Sequence, residues 1–140
     1  MGLRRQGREL ALQLLFQVEM TRDPAAEVVR RFWSSQRHAR AAEEFAEALA
    51  FGTLENLQII DQRIAGATEN WRLERMAVVD RNVLRMAIFE LLFHEQTPPA
   101  VIIDEAIEVV RKYGAPESAP FINGVLDAVR RDVENAPSRP

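Results

Sequence analysis

The sequence predicts an all-α protein of about six to seven helices, and three observations carry that prediction. No stretch sustains the two-residue alternation of apolar and polar side chains that a half-buried strand needs. Apolar residues recur instead at three- and four-residue spacing along most of the chain. Glycine, proline and short polar clusters interrupt this pattern at helix-length intervals.

The chain opens on a basic arm, Arg4, Arg5 and Arg8. Arg4 and Arg8 are one helical turn apart and share a face. By itself the arm reads equally well as a frayed, solvated terminus or as a phosphate-binding one. Leu10 to Val18 is apolar nearly all round, which predicts a helix packed on more than one side. Phe16 falls on the stripe of Arg5 and Leu12; core is the simpler reading, a base-stacking ring beside arginines the other. Thr21-Arg22-Asp23-Pro24 ends this helix and starts the next. Residues 25 to 35 are amphipathic through Val28, Val29, Phe32 and Trp33. Arg30, Arg31, Arg37 and Arg40 lie in or beside the polar connection that follows and extend the basic surface.

Residues 41 to 65 keep helical spacing through Phe45, Leu49, Phe51, Leu54, Leu57, Ile60 and Ile64, predicting one long helix. Gly52 within it predicts a bend or a close contact. Glu43, Glu44 and Glu47 read as solvated first turns, favourable to the helix dipole. Gly66 to Asn70 is a break, and Trp71 to Met76 a short turn anchored by Trp71, Leu73 and Met76. Asp80 to Phe93 is the next full helix, with Val83, Leu84, Ala87, Ile88, Leu91 and Leu92 inward and Asp80 as cap or dipole partner.

Thr97-Pro98-Pro99 stops that pattern and opens another helix, apolar at Ile102, Ile103, Ala106, Val109, Val110 and Tyr113. Gly114 is placed for a left-handed C-terminal cap, and Pro116 prevents resumption. Ser118 is placed to cap a last helix, with Pro120 in its first turn and Phe121, Ile122, Val125, Leu126 and Val129 on its apolar face. Gly124 lies within that face and costs about 1 kcal/mol against alanine, so it predicts the close approach of another helix backbone. Residues 132 to 140, with Pro137 and Pro140, read as a mobile tail.

A chain of 140 residues suits one domain, or two small helical subdomains sharing a core. It has no apolar run of about 18 residues, which excludes a membrane-spanning helix. Its basic start reaches Glu9 and Gln13 too soon for a signal-peptide core. Cysteine is absent, which excludes disulfides and thiolate chemistry and fits a cytoplasmic protein. The net charge of −3 argues against indiscriminate nucleic-acid binding, but its distribution is uneven. Residues 1–40 carry 8 Arg and 4 acids, for +4; residues 41–140 carry 10 basic and 17 acidic residues, for −7. Such asymmetry predicts a basic N-terminal surface facing a polyanion and an acidic body facing something else.

Catalytic patterns are missing. A metal-carboxylate bundle needs Glu three residues before His on facing helices, and neither His38 nor His94 has one. Glu90 and His94, one turn apart, read as an exposed helical pair. Asp104, Glu105 and Glu108 read as a solvated or partner-facing surface, because acid/base chemistry would need them in an apolar pocket. With no strand there is no phosphate loop after one. No metal or other cofactor is expected, and the pattern favours a binding protein over an enzyme.

Four ordered motifs go further. They are Arg4-Arg5-x-x-Arg8-Glu9-x-Ala11-Leu12-Gln13-x-Leu15-Phe16, then Asp80-Arg81-x-Val83-Leu84-Arg85-x-Ala87-x-Phe89-Glu90-Leu91, then Pro99-x-Val101-x-Ile103-Asp104-Glu105-Ala106-x-Glu108, then Phe121-Ile122-Asn123-Gly124-Val125-Leu126-Asp127. Together they resemble the NusB family of transcription antitermination factors over nearly the whole chain. The resemblance implies one NusB-like domain of two packed three-helix bundles, residues 4–66 and 77–134. It implies a heterodimer with NusE, a protein of the small ribosomal subunit. The pair would bind boxA RNA and help assemble an antitermination complex with NusA, NusG and RNA polymerase, notably on ribosomal RNA operons, without catalysis.

By motif, the resemblance implies RNA contacts at Arg4, Arg5, Arg8 and Phe16, and at Glu117 and Phe121. It implies a NusE surface at Glu74 and Asp80, with Arg81 and Leu84 beside them. Asn123 and Gly124 would serve packing, Asn123 as a buried hydrogen-bonded group. Phe16 stands where the family commonly has tyrosine; it keeps the stacking face and loses the hydroxyl. Glu117 stands where the family often has aspartate, and a carboxylate there suits a base amine or an arginine better than a phosphate. An acidic second bundle suits a basic ribosomal protein. An alternative is the NusB-like RNA-binding accessory domain of a ribosomal RNA cytosine-5 methyltransferase, although the chain contains neither a cofactor-binding Rossmann half nor a nucleophilic cysteine. A homodimer covering the arginine arm is the third expectation.

Overall fold

The computed structural model describes residues 2–68 and 73–135. The described residues form seven α-helices: α1 (Leu3–Thr21), α2 (Ala25–Ser35), α3 (Arg40–Glu55), α4 (Leu57–Ala67), α5 (Val78–Phe93), α6 (Pro99–Tyr113) and α7 (Ser118–Glu134). A single 3-10 turn, Leu73–Arg75, precedes α5, and no strand occurs among the described residues. The all-α expectation therefore holds. By its contacts the chain divides into Met1–Glu55 and Asn56–Pro140.

In the first unit α1 packs against both α3 and α2. Gly7 through Leu12, with Leu14 and Leu15, are buried, so the helix is covered on more than one side, as its all-round apolarity predicts. It ends where Arg22 turns left-handed (φ 61°) and donates its N–H to Val18 O. The Thr21 hydroxyl donates to Gln17 O at 2.8 Å, and Pro24 then leads into α2. Val28, Val29, Phe32 and Trp33 form the buried stripe of α2.

Two acids expected to be solvated do more. Glu47 accepts the Trp33 indole N–H, and Glu43 accepts the His38 backbone N–H at 2.9 Å. They tie α3 to α2 and to the connection between them, which satisfies donors that burial would otherwise leave costly. Glu44 remains exposed and pairs with Arg40 at 2.9 Å.

The predicted long helix over 41–65 is two helices. Asn56 interrupts it with φ −118° and ψ 20°, four residues beyond Gly52. Inward positions Leu49, Thr53, Ile60 and Ile64 stay in helical register across the break, so the spacing conceals it. The short Asn amide competes with the helical backbone for hydrogen bonds, which makes it a natural place to stop. Beyond the break α4 packs on α5 and α7, so it belongs to the second unit. The implied first bundle running to residue 66 thus ends about one helix too late, and the second unit contains four helices.

The core of the second unit is built from Ile60, Ile64, Val83, Leu84, Ile88, Ile102, Val109, Ile122, Leu126 and Val129, each nearly or fully buried. Arg85 on α5 clasps Asp61 on α4 with two hydrogen bonds, at 2.9 and 3.0 Å. Pro99 opens α6 where its missing N–H is harmless. Glu90 and His94 do lie one turn apart as a pair, with Nδ1 3.8 Å from Oε1, but the pair is not exposed as expected: Glu90 is 2% exposed within the core face of α5, and the His94 backbone N–H closes the helix end.

The hairpin of α6 and α7 differs from expectation at its glycines. Gly114 is extended (φ −102°, ψ −176°), not left-handed. It is required for room: a Cβ there would sit 2.8 Å from Val110 O and 2.9 Å from Val110 Cγ2. Gly124 is exposed, with nothing within 4 Å of a Cβ built on it, and Asn123 is exposed too. Ile122, Val125, Leu126 and Val129 point inward, and residues 123 and 124 fall one and two steps of about 100° away from that stripe. Neither residue is a packing element of the core. A glycine that does admit a neighbouring helix is Gly7, where a Cβ would lie 2.6 Å from Phe45 Cδ1 and 3.2 Å from Ala42 O. The last helix continues to Glu134, beyond the expected start of the tail at 132. The expected anchor Trp71, and Pro137 and Pro140, lie outside the described residues.

Candidate nucleic-acid interface

The predicted site residues fall in two groups, one in each unit. In the first unit, Arg4, Arg5, Arg8 and Phe16 all lie on α1. Arg4 and Arg8 share a face, as their spacing requires, and that face meets Phe45 of α3. The Arg4 guanidinium carbon lies 5.9 Å from the Phe45 ring centroid and that of Arg8 lies 5.4 Å away, both within cation–π range. Arg4 is exposed, whereas Arg8 is only 4% exposed. A direct phosphate contact by Arg8 is therefore not presented; the close α1–α3 crossing at Gly7 covers it. Arg5 is half-buried and already engaged within the protein. Phe16 is 42% exposed, which decides between its two readings: it is a surface ring, not core. Met20, one turn on, is exposed as well.

In the second unit, the start of α7 and the start of α5 form a cleft of about 270 Å³. Met76, Ala77, Ala115 and Phe121 give it apolar walls, and Arg75, Asp80, Glu117 and Ser118 supply polar groups. Ser118 does not cap α7 through its side chain. It is buried, and its hydroxyl donates to Asp80 Oδ2 at 3.0 Å. The other carboxylate oxygen, Oδ1, is buried without a hydrogen-bond partner among the described residues. Asp80 thus holds the α6–α7 connection by its Oδ2 and faces the cleft, so it belongs with Glu117 and Phe121 as much as with a partner surface. Glu117 is exposed and Phe121 half-buried.

The residues expected to face NusE separate. Glu74 is exposed on the 3-10 turn. Arg81 donates to Leu73 O at 2.8 Å and Met76 O at 3.0 Å, which holds that turn and so orients Glu74. Leu84 is fully buried and offers no surface to a partner; the α5 register places it inward with Ile88. From the sequence, Phe45, Met76 and Ser118 take only structural places, as an apolar helix position, a turn anchor and a cap, and Arg75 takes none; none of the four was expected at a binding site. Nothing local marks them, because each acquires its neighbours from a different helix or turn.

No group of three or more His, Cys, Asp or Glu able to hold a metal ion occurs among the described residues. No described helix is long and apolar enough to cross a membrane. Among titratable groups a shift is resolved for Glu27 and Arg30, which hydrogen-bond each other on exposed α2: the carboxyl is lowered and the guanidinium raised by their pairing.

The NusB family model matches residues 5–131. The chain belongs to the NusB family. A relative from Sorangium cellulosum, named transcription antitermination protein NusB, is 45% identical over 133 residues, covering 95% of each chain. The structure of T. maritima NusB superposes with a TM-score of 0.84 at 39% identity, covering 96% of this chain and 93% of that one. A further similar fold comes from antitermination factors NusB and NusE in complex with double-stranded RNA, at TM-score 0.84 and 24% identity over 94% of this chain and 98% of that one. Within this NusB-family chain, α1 in the first unit, and Glu117 with the first turn of α7 in the second, carry the residues singled out for RNA.

Proposed function

We propose that this NusB-family chain is a transcription antitermination factor that joins NusE, a small-subunit ribosomal protein, and with it binds boxA RNA. The pair helps assemble a complex with NusA, NusG and RNA polymerase in the cytoplasm, notably on ribosomal RNA operons. The observation that carries this reading is the family match along residues 5–131, with an antitermination protein 45% identical over 95% of each chain. The role is binding, and the chain is not an enzyme. An accessory domain of a methyltransferase is the weaker reading, since that relative is itself named as an antitermination protein.

The chemistry of the surfaces supports the role. Exposed Arg4 suits a phosphate, and exposed Phe16 offers a face on which an unpaired base can stack. Glu117 and Phe121, beside the cleft, suit a base amine and a base face. Glu74 suits a basic partner. The test is a gel shift with boxA RNA, with and without NusE. Tighter binding by the two proteins together than by either alone is the expected result. Failure of the pair to retain boxA RNA over a scrambled RNA would overturn the reading.

A further inference from the structure

We propose that Phe45 is a positioning residue for the arginine arm: its ring holds the guanidinium groups of Arg4 and Arg8 so that the N-terminal turns of α1 meet RNA phosphate in a preset geometry. The proposal rests on the RNA-binding reading above. Three observations meet at this ring. Both guanidinium carbons lie within cation–π range of it, at 5.9 Å for Arg4 and 5.4 Å for Arg8. The ring itself is only half-buried, so it is not simply a core filler. Gly7, between the two arginines, leaves the space that lets the ring approach α1, since any Cβ there would meet Phe45 Cδ1 at 2.6 Å.

The physical reason is preorganisation. A free arginine side chain loses many rotamers when it binds phosphate. A ring that already restricts those rotamers leaves less to lose at binding. The negative face of the ring also favours two like charges held one turn apart, which would otherwise repel. Arg8, being buried, acts on RNA through its charge and through the packing of Phe45, while Arg4 is exposed and makes the contact.

The experiment compares full-length wild type, Phe45→Leu, Phe45→Tyr, Arg4→Gln and the Phe45→Leu/Arg4→Gln double variant. Each is measured with NusE for boxA RNA affinity, with melting temperature as a folding control. Phe45→Leu is expected to weaken RNA binding about three- to tenfold, and Phe45→Tyr, which keeps the ring, to bind within about twofold of wild type. In the Arg4→Gln background Phe45→Leu should add little, because its effect passes through that arginine. Equal affinity of folded Phe45→Leu and wild type would overturn the proposal, as would an equal loss in both backgrounds. Should Phe45→Leu not fold, ring-current shifts on the Arg4 and Arg8 side-chain protons of wild type decide the matter, and their absence overturns it. If wild type with NusE ignores boxA, the antitermination reading fails while the inference is still read on heparin. There, wild type and Phe45→Tyr should elute at higher salt than Phe45→Leu, and co-elution of all three would sink it.

Discussion

The first helix and the last each carry a glycine inside the helix and an aromatic ring proposed for RNA, yet tertiary packing treats the two differently. On α1, Gly7 sits at a helix crossing with Phe45 against it, and the neighbouring arginine is drawn out of solvent. On α7, Gly124 faces open space, and the crowded point is instead Ser118, bound to Asp80 at the helix start. A glycine in an apolar run is therefore weak evidence of close packing; the side chain it faces decides. The same contrast governs charge. The α1 edge presents Arg4 over an aromatic ring, whereas the α7 edge presents two carboxylates, Asp80 and Glu117, and one guanidinium, Arg75, around an apolar cleft. The first suits a phosphate, and the second suits an amine or a guanidinium.

The largest expected effect separates surface from core within the residues that motif similarity assigned to NusE. Leu84→Ala should destabilise the protein by about 2–5 kcal/mol, as a large-to-small core substitution does. Glu74→Ala, being exposed, should leave the melting temperature nearly unchanged and lower affinity for NusE. A Leu84→Ala protein of normal stability that bound NusE poorly would return that residue to the interface.

Next comes the crossing itself. Gly7→Ala should cost about 1–3 kcal/mol in denaturant unfolding, because overpacking against Phe45 and the Ala42 carbonyl outweighs the helix propensity gained. Ser118→Ala should cost about 1–3 kcal/mol, since it leaves Asp80 Oδ2 without that donor beside an Oδ1 that already has none. It should also weaken RNA binding, because Glu117 and Phe121 lose the clamp on their helix. Gly124→Ala should stabilise by up to about 1 kcal/mol, the helix-propensity difference, with RNA binding retained. Loss of stability there would show a close contact at α7 after all and erase the contrast with Gly7.

The smallest effect concerns Glu27 and Arg30 on α2. The Glu27 carboxyl is lowered in the folded state by its bond to Arg30, so whatever stability the pair adds is present above the ordinary carboxylate range and is lost as pH falls through the lowered value. Both groups are exposed and solvent-screened. Glu27→Gln should therefore shift the acid-unfolding midpoint barely at all, as circular dichroism would register.

The helices themselves were legible because their causes are local. Apolar spacing marked α2, α5 and α6 to within a few residues, and the Thr21 to Pro24 cluster marked the first turn. The all-round apolarity of Leu10 to Val18 foretold a helix covered on several sides. The charge split between residues 1–40 and 41–140 does not follow the units: Met1–Glu55 carries 8 Arg and 8 acids, because α3 brings Glu43, Glu44, Glu47 and Glu55 to the first unit. Motif order supplied the family, which periodicity alone does not reach.

What only the tertiary structure decided is which outward-looking residues are covered and by what. Spacing placed Arg4 and Arg8 on one face correctly, but the arrival of Phe45 from another helix buried one and left the other exposed. Spacing also ran unbroken through Asn56, and contacts of α4 with α5 and α7, not its sequence, gave that helix to the second unit. Burial, pairing and close approach are properties of two segments at once, and a pattern read along one segment contains only half of each.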